Sequence, residues 1–147
     1  MVIVFHFSFK IKNELIETLA VYSGFSGLAG GQYSDLTYEN KKISKAKIID
    51  MQINKTGKLF AFCCESAGIV KGLNYKKRNM LKKIGLDIGL LFQITDDLID
   101  YRGDTKIAGK PTRRDKSKGK KTLINLMGYK NTLDFANILK KKINHEY

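Results

Sequence analysis

Phe92-Gln93-Ile94-Thr95-Asp96-Asp97-Leu98-Ile99-Asp100 sets three carboxylates and an amide inside an apolar run. On a helix, Gln93, Asp96, Asp97 and Asp100 stand at i, i+3, i+4 and i+7, within an arc of roughly 100°. Leu90, Leu91, Ile94, Leu98 and Ile99 take the remaining directions and can anchor the helix in a core. Three like charges crowded on one face repel one another unless a cation sits among them. A hard, oxygen-seeking divalent ion meets that need, and magnesium in particular is held by one or two carboxylates together with substrate phosphates.

Helical patterning extends outward from this stretch in both directions. Asn74 is placed to cap a helix that carries Met80, Leu81, Ile84, Ile88 and Leu91 into the aspartate face and stops near Gly103. Before it, Ser44 is an N-cap for a helix running to about Val70 and ended by Gly72. The spacing of Leu15, Ile16, Leu19 and Tyr22 predicts one helix over Asn13 to Tyr38, continued through Gly24, Gly27, Gly30 and Gly31. Each glycine weakens a helix by up to about 1 kcal/mol, so four together point either to a phosphate loop or to a face that another backbone approaches closely. The order Gly-Leu-Ala-Gly-Gly-Gln fits neither the dinucleotide fingerprint nor the P-loop, and close packing is the favoured alternative. Residues 103–120 are rich in Gly, Lys, Arg and Asp around Pro111, the single proline. A loop that long is functional or disordered. Short helical patterns follow at Thr122 to Met127 and Asn131 to Ile143. Alternation suggests a strand only at Met1 to Phe9, so the expected class is all-α.

The 147 residues suffice for one domain with a core. Lys and Arg number 27 against 14 Asp and Glu, a formal charge of +13. That excess fits an anionic partner, but it fits solvated lysines on a chain of Lys-, Ile- and Asn-rich composition better. Only four of the cations are Arg, and no nucleic-acid motif is present. Specific nucleic-acid binding is therefore not expected. Cys63 and Cys64 are adjacent, flanked by Phe60, Ala61 and Phe62, and read as buried thiols in a reducing compartment rather than a disulfide or zinc site. Met1 to Phe9 is apolar but too short to span a bilayer and lacks a leader's basic start and cleavage site. The expected location is the cytoplasm, with no transmembrane segment.

Other polar groups interrupt packable segments. Gln32 and Asp35 stand at i, i+3 and can share a cavity wall. Lys55 and Thr56 precede Gly57 and an apolar stretch, while Lys110 and Lys120 bracket Asp115. Carboxylates for a metal plus lysines for anionic oxygens suit a diphosphate, whose negative charge grows as its bond breaks. Each group taken singly is more often a solvated side chain.

Together they form an ordered set: Gly-Gly-Gln-x-x-Asp (Gly30 to Asp35), Lys-Thr-Gly (Lys55 to Gly57), Phe-Gln-x-x-Asp-Asp-x-x-Asp (Phe92 to Asp100), Gly-Lys-Pro (Gly109 to Pro111) and Asp-x-x-x-Gly-Lys-x-Thr (Asp115 to Thr122). This order resembles the trans-isoprenyl diphosphate synthases, including farnesyl and geranylgeranyl diphosphate synthases. The resemblance runs from about Lys10 to the C-terminus and corresponds to the C-terminal half of that family's polyprenyl synthase domain, leaving residues 1–9 as an atypical segment. It implies a partial isoprenoid synthase fold, all-α, with helices around a deep cavity. It implies Mg2+ as cofactor, with isopentenyl diphosphate and an allylic diphosphate as substrates. By position, Asp96 is the magnesium ligand of the second aspartate motif, with Asp97 and Asp100 supporting it directly or through water. Lys55 and Lys110 would grip the allylic diphosphate and Lys120 would join them. Thr56, Gln93, Gln32 and Asp35 would line the same chamber, and Phe92 would lie near the incoming isopentenyl group. The resemblance assigns catalytic roles to Lys55, Thr56, Gln93 and Lys110, and likens residues 103–120 to a segment that closes over the diphosphate.

The departure from the family pattern is equally specific. No Asp-Asp-x-x-Asp precedes Asp96, and the family's upstream basic residues have no counterparts. One aspartate motif can coordinate part of a metal cluster but cannot surround a substrate, so the chain alone is expected to be an incomplete synthase, a truncated or frame-shifted product. Its expected partner is a second copy in a homodimer or a polypeptide supplying the missing half. The alternative is a noncatalytic subunit that docks on a full-length synthase.

Overall fold

Side-chain caps set where several of the helices begin. In the computed structural model, which describes residues 7–103 and 121–147, Ser8 opens α1 (Phe9–Ser23), its Oγ accepting from the Ile11 amide at 3.4 Å. The chain turns over residues 24–27 and enters α2 (Leu28–Thr37). Ser44 caps α3 (Lys45–Gln52) through the Lys47 amide. A π-helical turn over Ile53–Gly57 passes directly into α4 (Lys58–Val70). Asn74 Oδ1 accepts from the Lys77 amide at 3.0 Å and opens α5 (Tyr75–Arg102), which ends on Gly103 in the left-handed conformation at φ 76°. Thr122 caps the short α6 (Leu123–Met127), and α7 (Tyr129–Glu146) completes the order. The class is all-α, with no strand among the described residues.

The long α5 is the axis of the fold. Leu90, Ile94 and Leu98, spaced i, i+4 and i+8, pack with Ile48 and Met51 of α3, Leu123 and Ile124 of α6, and Ala136 and Leu139 of α7. Another side of α5 carries Gly85 and Gly89 and runs against α4 and the π turn. A Cβ at Gly85 would come within 2.5 Å of Ala61 Cα, and one at Gly89 within 2.6 Å of Gly57 Cα. Only glycine lets the two backbones come this close. α1 is tied to this pair by polar contacts. The Tyr22 hydroxyl donates to Glu65 at 2.6 Å, while Arg78 pairs with both Glu14 and Glu65. Burial, then the Glu65 acceptor, pushes the Tyr22 hydroxyl well above its ordinary range.

Several expectations need correction. The single helix over Asn13 to Tyr38 is two helices, and the first starts earlier, at Phe9. Phe9 is therefore helical where alternation suggested strand, while residues 1–6 lie outside those described. The helix from Ser44 to Val70 is interrupted by the π turn. The last helix extends beyond Asn131 to Ile143 at both ends. Cys63 is exposed and Cys64 half-buried rather than both buried, because α4 directs Ala61, Gly68 and Ile69 inward instead. Burial, and then the neighbouring Cys63, raise the Cys64 thiol above its ordinary range.

Candidate active site

Close backbone approaches assemble the polar chamber. Gly31 abuts the π turn so tightly that a Cβ there would lie 2.2 Å from the Lys55 nitrogen. Asp35, one helical turn beyond Gly31, is thereby brought to Lys55, and its Oδ2 accepts from Nζ at 2.6 Å. This is the close packing favoured for the glycine-rich stretch. On the other side, the crossing of Gly57 with Gly89 sets the π turn beside α5. Gln93, one turn after Gly89, accepts from the Thr56 hydroxyl at 3.0 Å through Oε1. Its Nε2 donates at 2.9 Å to Asp97 Oδ1.

Asp97 is 5% exposed, and its second oxygen, Oδ2, accepts from Gln52 Nε2 at 2.9 Å. A chain of contacts thus runs from Thr56 through Gln93 and Asp97 to Gln52. A small cavity of about 30 Å3 opens among Asp35, Met51, Gln52, Lys55, Gln93, Asp97, Lys121 and Thr122. Five motif residues, Asp35, Lys55, Gln93, Asp97 and Thr122, therefore meet around one cavity although 87 positions separate the first from the last (122 minus 35).

The other expected residues fall at different places. Asp100 is buried and Asp96 half-buried on the same side of α5 as Asp97, by their i+3 and i+4 spacing. Phe92 is exposed, its ring tilted against Phe60 with centroids 5.4 Å apart. Gln32 is exposed and is not among the residues around the cavity. Lys110 and Lys120, like Pro111 and Asp115, lie outside the described residues.

Magnesium suits this donor set. Among the described residues no three His, Cys, Asp or Glu are gathered into a cage of their own. Mg2+ seldom uses such a cage: it keeps several waters and takes one or two carboxylates with substrate phosphates. Asp96 and Asp100, four residues apart, supply hard oxygen, and Asp97 lies between them with both oxygens already engaged by amides.

Sequence reasoning missed Gln52 and Lys121, and it included Thr122 only as the last residue of a motif, without a role. For Gln52 a signal existed: it follows Ile48 and Met51 at i+4 and i+1, so it is a polar residue within the apolar stripe of α3. Thr122 is buried, and its hydroxyl caps α6 by accepting from the Asn125 amide at 3.2 Å.

Comparison with known proteins gives a consistent picture. The polyprenyl synthetase family model matches residues 2–147. The chain is 35% identical over 119 residues to a farnesyl diphosphate synthase of Micrococcus luteus, covering 81% of this chain and 41% of that protein. It is 37% identical over 117 residues to a geranylgeranyl diphosphate synthase of Pantoea ananas, covering 80% and 37%. Among solved structures, a Helicobacter pylori geranyltransferase complexed with magnesium and isoprenyl diphosphate superposes with a TM-score of 0.84 at 29% identity, over 93% of this chain and 45% of that one. An FPP/GFPP synthase from Zymomonas mobilis gives 0.78 at 36% identity, over 94% and 45%. The chain thus spans less than half the length of these relatives.

Proposed function

The chain belongs to the polyprenyl synthetase family, and from that premise we propose that it forms one wall of a magnesium-dependent prenyltransferase site. The reaction is the condensation of isopentenyl diphosphate with an allylic diphosphate, as in farnesyl and geranylgeranyl diphosphate synthases. One observation carries the proposal: Asp35, Lys55, Gln93 and Asp97, from three separate motifs, line a single cavity, with Thr56 bonded into it.

Each side chain has a task in this chemistry. Lys55 offers its ammonium to the diphosphate oxygens, and Asp35 at 2.6 Å holds it in position. Thr56 and Gln93 fix one another and the near oxygen of Asp97. Asp96 and Asp100 would hold Mg2+, with Asp97 supporting them. Bound Mg2+ would neutralise charge on the departing diphosphate. Lys110 and Lys120 are assigned to the same anion by motif position. The allylic cation left behind is attacked by the isopentenyl double bond, and loss of a proton completes the product.

Residues 10–147 correspond in this proposal to the C-terminal half of the synthase domain. The given residues hold one aspartate-rich motif, and in this proposal the complete site needs an opposing wall that these residues do not supply. No described helix is long and apolar enough to cross a membrane, and we assign the protein to the cytoplasm. The test mixes the pure chain with a polypeptide that carries the opposing motif, supplying both diphosphates and Mg2+. Condensation by the mixture, and by neither part alone, is expected. Turnover by the pure chain would overturn its incompleteness. Diphosphate binding unaffected by Lys55→Ala would overturn the site.

A second reading, a noncatalytic subunit of a full-length synthase, is favoured by a different observation. Phe9, Ile16 and Val21 of α1, Phe25 after it, and Tyr33 and Leu36 of α2 are exposed apolar side chains. Such a surface serves as an interface. A change in a full synthase's product length on adding a Lys55→Ala, Asp96→Ala chain would select this reading over the catalytic one.

A further inference from the structure

Gln52 is 3% exposed, yet its amide is only half satisfied. Nε2 donates to Asp97, while Oε1 is buried with no hydrogen-bond partner among the described residues. An unmet buried acceptor is destabilising. Methionine, of similar length and wholly apolar, would remove the unmet acceptor and extend the Ile48–Met51 contact with α5, but would strip the buried Asp97 oxygen of its donor. Apolar packing against α5 therefore gives no reason for an amide here.

The reason lies at the other end of the side chain. Rotating the amide would turn Oε1 toward the Asp97 carboxylate, oxygen against oxygen, so the charge on Asp97 holds the amide in its observed orientation. Asp97 is gripped at both oxygens, by Gln93 at 2.9 Å and Gln52 at 2.9 Å, but the two grips differ. Gln93 sits one turn away on the same helix and moves with Asp97. Gln52 belongs to α3, at the last residue before the π turn that carries Lys55. Both amides tie the carboxylate to the element that bears the ammonium, Gln93 through the Thr56 hydroxyl and Gln52 through the backbone that leads into the π turn, but only Gln52 reaches Asp97 from outside α5.

We propose that Gln52 is a positioning residue that fixes the Asp97 carboxylate relative to Lys55 and thereby sets the cation affinity of the aspartate face. This rests on the magnesium reading given above. Outer-shell partners of this kind alter metal affinity by about 10–100-fold when removed.

The test compares the wild-type chain with Gln52→Met, and with Gln52→Leu in case the first variant folds poorly. Mn2+, as a stand-in for Mg2+, is titrated by electron paramagnetic resonance, and thermal melts are recorded in chelator. The expected result is Mn2+ affinity about 10–100-fold weaker in both variants, measured well below each melting temperature. A purely structural glutamine would give a lower melting temperature in both variants with affinity unchanged, which overturns the proposal. Unchanged affinity at an unchanged melting temperature overturns it too, while leaving the cation reading intact because the wild-type chain still binds. Absence of Mn2+ binding by the wild-type chain removes the cation reading and this inference together.

Discussion

Replacing Gly89 with alanine tests whether close helix crossing builds the site. The added Cβ would stand 2.6 Å from Gly57 Cα and 3.1 Å from Gly57 N. Ordinary contact begins near 3.4 Å, so α5 and the π turn must separate by about 0.8 Å (3.4 minus 2.6). The obstructing atoms are backbone, so no side-chain rotation relieves the clash. A shift of that size taken up along the Thr56–Gln93 bond would lengthen it from 3.0 Å to about 3.8 Å, beyond hydrogen-bonding range. Forcing an extra carbon into a packed contact costs about 1–3 kcal/mol, against which alanine regains up to about 1 kcal/mol of helix propensity. The net expectation is a loss of about 1–2 kcal/mol, or roughly 3–6 °C in melting temperature for a chain of this size. Urea and thermal melts measure it. A Gly89→Ala chain that melts at or above the wild-type temperature would show that propensity wins, and the crossing would no longer account for how the site is held.

Lys55→Ala should weaken binding of inorganic diphosphate by about 10–100-fold, the worth of one hydrogen bond between charged groups; isothermal titration reads it, and an unchanged affinity would remove Lys55 from the anion site. Alkaline pH should destabilise the fold. The Tyr22 hydroxyl, raised in the folded chain by burial and Glu65, keeps its proton where the unfolded chain's tyrosine, at 10.0, loses it. Its contribution is therefore full below about pH 10 and lost as pH rises above that. Lys142, raised chiefly by its bond to Asp87, and Tyr147, raised chiefly by burial, act in the same direction. Tyr22→Phe should flatten the fall in stability above pH 10, and an equally steep fall would refute the assignment. Exposed Phe9, Ile16 and Phe25 should make the pure chain self-associate, with apparent mass in sedimentation rising with concentration; Phe25→Ser should reduce this, and a concentration-independent monomer would refute it.

Which parts of the fold were legible follows from how local their causes are. Ser44, Asn74 and Gly103 act through their own backbone neighbours, and the structure uses each as its residue type suggests. The break between α1 and α2 was hidden because apolar residues keep helical spacing through Leu19 and Tyr22 up to the first glycine, whereas the turn depends on Gly27 passing the Tyr22 carbonyl. A Cβ at Gly27 would lie 1.9 Å from that oxygen. The π turn was hidden for a similar reason. Ile53-Asn54-Lys55-Thr56-Gly57 contains no proline, and the one extra residue per turn is maintained by packing against α2 and α5. Cys63 was misjudged because Phe60, Ala61 and Phe62 are apolar, although the inward face of α4 is set by Ala61, Gly68 and Ile69.

The candidate site divides along the same line. Motif order identified the side chains with charge or hydrogen-bonding capacity, but not what brings them within 3 Å of one another. Lysine and glutamine side chains span only a few ångströms, so Lys55 reaches Asp35, and Thr56 reaches Gln93, only while the backbones behind them nearly touch. Gly31 against Lys55, and Gly57 against Gly89, supply those approaches. The glycines that look like weak points in a helical reading are therefore conditions for the polar contacts. A larger residue at any of them would act on the chamber without touching it. Gln52 completes the logic from the opposite direction. It is a polar residue where α3 would accept an apolar one, and the carboxylate it holds, rather than the core it interrupts, accounts for its presence.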